Sequence, residues 1–154
     1  MPNATSSSFE PPDLAARPHQ FSMERIMHAA ADSIYRAWTV EFDSWFATPG
    51  LIRMRPVQGE PFYFEVVHEG LRAPHYGRFL ALDPDRVVEL TWVTGKGGTD
   101  GAETVVRVEL TPMESGTRLR LTHSGFDSES ALARHRDSWP AVLAHLDDQL
   151  AASR

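Results

Sequence analysis

The segment from Ser128 to about Ala152, SESALARHRDSWPAVLAHLDDQLAA, constrains the fold more than any other. At spacings of three and four, His135, Trp139, Val142, Leu143, Leu146 and Leu150 fall along one stripe, whereas Asp137, Ala141, Asp147, Asp148 and Gln149 mostly fall outside it. A helix with one apolar face must bury that face against a second layer. What precedes it reads as a series of short β runs, so the expected partner is a curved antiparallel sheet with the helix across its concave side. That arrangement can enclose a cavity. Pro140 has no N–H to give the carbonyl of Arg136 and its ring crowds that turn. The helix is therefore expected to kink between Arg136 and Pro140, or to restart with Ser138 as cap, which sets Trp139 at the bend and aimed at the sheet.

Six strands are expected near Leu51 to Arg55, Pro61 to His68, Pro74 to Leu82, Arg86 to Thr94, Ala102 to Thr111 and Thr117 to Ser124. Turn chemistry separates them at Gln58-Gly59, Glu69-Gly70, Asp83-Pro84-Asp85, Gly95 to Gly101 and Glu114-Ser115-Gly116. Runs this close in sequence form an antiparallel meander. Alternation puts Phe62, Phe64 and Val66 on one side of their strand; Val88, Leu90 and Trp92, then Val106, Val108 and Leu110, then Leu119 and Leu121 form matching sets that face the helix. Phe79, Leu80 and Leu82 cannot share a face without a bulge, and Gly77 is a natural place for a bend.

Ahead of these, Phe21 to His28 is a strand whose buried face stays open, because Arg25 and Ile26 pull opposite ways. Two short helices follow, one starting at Ala31 or Asp32 and carrying Ile34, Tyr35, Ala37 and Trp38. The second starts near Glu41, presents Phe42, Trp45 and Phe46, and ends at Thr48-Pro49-Gly50. Their aromatic residues close one end of the sheet, and Trp45 and Phe46 are the two that could also line a ligand entrance. Residues 1–19, rich in Ser and Pro, read as a flexible tail that Phe9 or Leu14 could dock, and residues 20–152 as a single domain.

The absence of cysteine excludes a disulfide framework, a thiolate metal site and a cysteine nucleophile, and fits the cytoplasm. A net charge of -6, with the arginines scattered along the chain, argues against a nucleic-acid partner. No apolar run approaches the roughly 20 residues of a membrane span, and MPNATSSSFEPPD lacks the pattern of a secretory signal. A single lysine, Lys96, among arginines and many alanines suggests a GC-rich bacterial genome.

Catalytic signatures are absent. The seven histidines (His19, His28, His68, His75, His123, His135, His145) show no helical His-x-x-x-His spacing beside a Glu, so no metal and no cofactor is expected. His68, His75, His123 and His135 could converge in a cavity; the bland reading is that they are structural or surface residues. Ser124-Gly125 lacks the context of a nucleophile elbow, and Gly95-Lys96-Gly97-Gly98 has no following helix and reads as a flexible hairpin tip.

The order strand, two short helices, six strands, long helix resembles the START-like helix-grip fold of the SRPBCC superfamily, an α+β class (β-α-α-β6-α). Within it the chain is similar to the bacterial branch of the activator of heat-shock-protein-90 ATPase homologue family. The resemblance is carried by Ala30 to Trp45, His75-Tyr76-Gly77-Arg78-Phe79, DPDRVVELTW (83–92), GAETVVRVEL (101–110), TRLRLTHSGF (117–126) and WPAVLAHLDDQL (139–150), together spanning about Phe21 to Leu150. It implies a hydrophobic cavity between helix and sheet, in a superfamily whose members bind lipids, hormones and polyketides and sometimes act on them. The eukaryotic activator engages its chaperone through a separate N-terminal domain for which this length leaves no room.

The inward aromatic and aliphatic residues form the candidate ligand-binding set: Trp45, Phe62, Phe64, Tyr76, Phe79, Trp92, Val106, Val108, His123, Trp139 and Leu143. The same residues could equally fill a closed core. The leading expectation is a domain that binds a small hydrophobic or amphipathic molecule without chemistry. One alternative is a cyclase or dehydratase acting on an aromatic or polyketide-like substrate, with Tyr76, Arg78 or His123 as proton donor or polarising group. Another is an interaction module, as a homodimer or chaperone partner, using an exposed apolar patch.

Overall fold

The structure is a computed structural model, and it describes residues 10–152. Its elements are β1 (His19–Met27), α1 (Ala31–Ala37), a single 3-10 turn (Phe42–Ser44), β2 (Ile52–Arg53), β3 (Pro61–His68), β4 (Leu71–Asp83), β5 (Val87–Trp92), β6 (Thr104–Met113), β7 (Gly116–Phe126) and α2 (Glu129–Ala152). One antiparallel sheet runs β1-β7-β6-β5-β4-β3-β2. Consecutive strands from β2 to β7 pair as the expected meander, and β1 joins the far edge beside β7. The strand expected over Leu51 to Arg55 shrinks to two residues, because Pro56 follows and only Ile52 and Arg53 pair with β3.

Alternation along the strands builds the core as expected. Phe62 and Phe64, then Val88, Leu90 and Trp92, Val106, Val108 and Leu110, and Leu119 and Leu121 are all buried beneath α2 and the α1 region. On β1 the inward set is Phe21, Met23, Arg25 and Met27, while Ile26 is 51% exposed. The reason lies on α2: Asp147, 3% exposed, takes hydrogen bonds from the backbone N of His28 (3.0 Å) and from His28 Nδ1 (3.0 Å), and lies 3.6 Å from the Arg25 guanidinium. Asp147 thus belongs to the buried flank of the helix and not to its polar face, because it supplies an acceptor at the sheet edge that no apolar residue could.

Phe79 and Leu80 are both buried, and the β4–β5 register shifts between Phe79 and Ala81, the bulge their alternation requires. At Gly77 a Cβ would stand 2.2 Å from the Thr91 carbonyl oxygen and 2.3 Å from Phe62 Cζ, so only glycine lets the Phe62 ring lie over β4.

Pro140 lies inside α2, which runs from Glu129 to Ala152 without the restart that was one of the two expectations there. Ser138 does not restart it: its hydroxyl donates back to the Arg134 carbonyl at 2.8 Å, while Ser128 Oγ caps the start by accepting from Ala131 N at 3.1 Å. Burial of Ala131, Trp139, Leu143 and Leu146 along one face outweighs the hydrogen bond that Pro140 removes. Trp139 does meet the sheet, with its ring 5.6 Å from that of Trp92.

The N-terminal segment is tied down within its described part. Arg17 Nε donates to the Gly125 carbonyl and Nη2 to that of Glu103, each at 2.8 Å, and Leu14 lies against Gly125. Phe9 lies outside the described residues.

Candidate functional site

Most of the space between helix and sheet is filled by side chains, and the open space lies at one end. A cavity of about 530 Å³ is bounded by the start of β4 (Arg72 to His75), the end of β5 (Trp92) and the β5–β6 loop (Thr94 to Gly98). The middle of α2 (His135, Ser138, Trp139, Val142) and Phe46 complete its wall. Its volume falls within the ordinary range of small-molecule sites.

The aromatic floor is assembled by the 3-10 turn and the sheet. Phe46 meets Trp92 edge-on at 5.5 Å and lies 6.4 Å from Trp139, nearly parallel; His75 stacks on Phe64 at 4.7 Å and meets Trp92 edge-on at 5.2 Å. The β3–β4 register sets this up by placing His75 directly opposite Phe64. The rim is basic. Arg72 pairs with Glu65, which also accepts from Tyr63 Oη at 2.5 Å, and Lys96 sits exposed on the β5–β6 loop. That loop is clipped to α2 by Arg134, whose Nη2 donates to the Gly98 carbonyl at 2.8 Å and lies 3.2 Å from Asp100.

Beneath the floor runs a chain of hydrogen bonds whose direction is fixed by chemistry. An indole N–H can only donate, so Trp139 Nε1 donates to Nδ1 of His123 (3.0 Å). His123 must then carry its proton on Nε2, which donates to Thr104 Oγ1 (2.8 Å), and Thr104 donates to the Trp92 carbonyl (2.5 Å). The relay starts and ends on two residues of the cavity wall. Burial, and secondarily the neighbouring His135, hold the His123 pKa well below its usual value, so the ring is neutral. His135 stands edge-on to His123 at 5.0 Å. Its pKa and that of His75 are also lowered, chiefly by burial, that of His75 to about 4.

Of the eleven residues expected to bind ligand, Trp92 and Trp139 line this cavity. Phe64, Phe79, Val106, Val108, His123 and Leu143 are completely buried and Phe62 nearly so, packed in the core. Trp45 borders a second depression on the other side of Phe46 and donates from Nε1 to the Ala37 carbonyl at 2.7 Å. Tyr76 is 50% exposed and pairs with Tyr63 on the outer face. Arg78 is held by Glu103 at 3.2 Å, so Tyr76, Arg78 and His123 do not converge. Of the four histidines that could have met in a cavity, His75 and His135 line it, His123 lies beneath it, and His68 stands exposed beside Glu69. Among the described residues no group of three or more His, Asp or Glu is placed to hold a metal, and no helix is long and apolar enough to cross a membrane.

Sequence reasoning left out of the ligand set Arg72, His75, the Thr94 to Gly98 loop, His135, Ser138 and Val142. His135, Trp139 and Val142 were visible together as one edge of the helix stripe. The start of β4 and the Thr94 to Gly98 loop carried no periodic signal, because what they contribute is position.

Solved structures share this architecture. The protein MLL2253 from Mesorhizobium loti superposes with a TM-score of 0.73 at 23% identity, over 88% of this chain and 99% of that one. The AHSA1 protein of Silicibacter pomeroyi has the same score and identity, over 88% of this chain and all of that one. CalU16 from Micromonospora echinospora gives a TM-score of 0.62 at 23% identity, over 85% and 75% of the two chains. No curated protein matches. Residues 28–151, from the end of β1 to the end of α2, match the sequence model described as Activator of Hsp90 ATPase homolog 1-like protein, and the chain belongs to that family.

Proposed function

We propose that this protein binds a small amphipathic molecule in the cavity between the middle of α2 and the start of β4. The observation that carries this reading is an aromatic-lined space of about 530 Å³ at the end of an otherwise filled core, with basic groups at its rim. Apolar walls with a few fixed polar groups are how small-molecule sites are generally built. Binding without turnover fits best, since Tyr76, Arg78 and His123 are separated and His123 is buried with both ring nitrogens engaged. A cysteine-free chain suits a reducing cytoplasm as the place where it acts.

Thermal unfolding against fatty acids, flavonoids, aromatic polyketides and sterols tests this. A ligand at 100 times its dissociation constant adds about 2.7 kcal/mol to the folded state. One chemical class should raise the midpoint, and Val142→Trp, which fills the cavity from a half-buried position on α2, should abolish the shift while leaving the unliganded protein folded. An unchanged shift in Val142→Trp would place the ligand elsewhere, and no shift across the panel would count against the reading.

A further inference from the structure

Two imidazoles in the cavity wall are set in the same tautomer by their own backbones. Nδ1 of His75 lies 3.0 Å from the Ala73 carbonyl oxygen, and Nδ1 of His135 lies 2.8 Å from that of Ala131. A carbonyl oxygen only accepts, so each Nδ1 carries the proton, and in the neutral ring each Nε2 is a bare acceptor. Neither Nε2 has a partner among the described residues. Burial keeps both rings neutral at pH 7, and the two are near enough that His135 contributes to the lowering at His75.

The surroundings narrow what those acceptors can meet. Phe46, Trp92 and Trp139 offer flat faces and edges, which suit a planar ring system. The described lining contains no carboxylate to pair with an ammonium group, and Arg72 and Lys96 already place positive charge at the rim, which offsets the attraction of the aromatic faces for a cation. A ligand carboxylate would be repelled by a bare Nε2 lone pair. An uncharged donor is what remains, and a hydroxyl group is one, since it can donate to Nε2 without bringing a charge into an apolar space.

We propose that the ligand is an uncharged, flat aromatic molecule carrying two hydroxyl groups apart on its ring system, one donating to Nε2 of His75 and the other to Nε2 of His135. This rests on the reading of the cavity as a binding site and specifies the chemistry it selects. Hydroxyl donors meeting neutral nitrogen acceptors contribute modestly to affinity, roughly fivefold per hydrogen bond, so two raise it roughly 25-fold. The rim cations Arg72 and Lys96 would lie outside the recognition step.

The test uses the full chain and three probes, 2,7-dihydroxynaphthalene, 2,7-dimethoxynaphthalene and 2,6-naphthalenedicarboxylate, titrated by calorimetry. The dihydroxy probe should bind roughly 25-fold more tightly than the dimethoxy probe. His75→Phe and His135→Leu should each cut that preference to roughly fivefold, read as the ratio of the two neutral probes' affinities within each variant. Nitrogen-15 spectra of the unmutated protein should show the Nε2 resonances of both rings moving with the dihydroxy probe only, a readout independent of how the variants fold. Equal binding of the two neutral probes, or unmoved Nε2 resonances, overturns the donor assignment and leaves the cavity reading standing. Tightest binding by the dicarboxylate overturns it in favour of the rim cations. Failure of all three probes overturns this proposal and counts against the cavity reading with it.

Discussion

Trp139 on α2 and His123 on β7, both buried, are joined by a 3.0 Å hydrogen bond. The bond ties the helix to the sheet at the level of the cavity floor. It also fixes the His123 tautomer and through it the Thr104 hydroxyl, so that the relay holds the Trp139 indole at one end and the Trp92 backbone carbonyl at the other, both on residues of the wall.

Removing the middle of this relay leaves a buried donor with nowhere to go. In His123→Leu the Trp139 indole N–H loses its acceptor in a buried site, at a cost of about 1–3 kcal/mol, and the lost packing against Phe126 and Phe21 adds to it. Urea unfolding should show this loss with an unchanged slope, and Trp139 fluorescence should shift as the indole is released. His123→Gln, which keeps an acceptor, should recover part of the loss.

Trp139 itself is close-packed despite touching the cavity. It is 3% exposed and lies against Trp38, Phe46 and Trp92. Trp139→Ala should cost about 3–5 kcal/mol, the full value for emptying an aromatic core site. A loss below about 1 kcal/mol by urea unfolding would mean that the indole is not integral to the core.

Stability should fall on mild acidification, before the carboxylates titrate. His75, His123 and His135 all have pKa values below the ordinary 6.5 in the folded protein, each first through burial. Between the folded and unfolded values the unfolded chain binds the more protons, so stability is full above about pH 6.5 and declines as pH falls through that window. For His75 the window runs from 6.5 down to about 4. Each such histidine contributes up to about 1.4 kcal/mol per pH unit. Urea unfolding at pH 7, 6 and 5 should show the decline, and His75→Phe should flatten it.

Periodicity revealed what repeats and was silent on what occurs once. The inward sets of β3, β5, β6 and β7 and the stripe of α2 were legible because alternation and helical spacing report which side of an element is buried. The β4 bulge was legible from Phe79 and Leu80 refusing one face. Asp147 was not, since a lone carboxylate on the flank of an amphipathic helix looks like solvent-facing charge until His28, 119 residues away, is placed beside it. The cavity was half legible for the same reason. Trp92 and Trp139 belong to periodic elements, whereas His75 and the Thr94 to Gly98 loop reach the wall through the register of β3 with β4 and the path of a turn. The unbroken helix through Pro140 shows packing overriding a local rule.

Asp147 should be a stability residue although it resembles a surface acid. Asp147→Ala strips the acceptor from the His28 backbone N–H and leaves the half-buried Arg25 without a counter-charge. Arg25 is 35% exposed and approaches only to 3.6 Å, so the ion pair adds little and the lost hydrogen bonds dominate. The expected cost is about 1–3 kcal/mol by urea unfolding. Asp147→Asn, which keeps an acceptor for the His28 N–H, should lose less. Hydrogen exchange at the His28 amide should accelerate in Asp147→Ala more than at amides in the middle of β6.

Gly77→Ala tests the stretch of β4 that has a neighbour on both sides. The pairing with β3 runs to Arg78 and that with β5 starts at Phe79, with a bridge from Tyr76 to Val93 already beside Gly77, so Gly77 lies where the two pairings overlap. A methyl group there would meet the Thr91 carbonyl oxygen at 2.2 Å and the Phe62 ring at 2.3 Å. The backbone oxygen cannot step aside without giving up sheet pairing, and Phe62 is nearly buried. An added methyl in so filled a site should cost about 1–3 kcal/mol, in contrast to the small gain that Gly→Ala brings where space and backbone allow it. Thermal unfolding measures the cost. Because Phe62 packs on Phe64, which carries His75, the same substitution should weaken binding of any ligand that touches His75. Phe62→Leu combined with Gly77→Ala should restore much of the stability, since it removes the ring edge that the methyl meets.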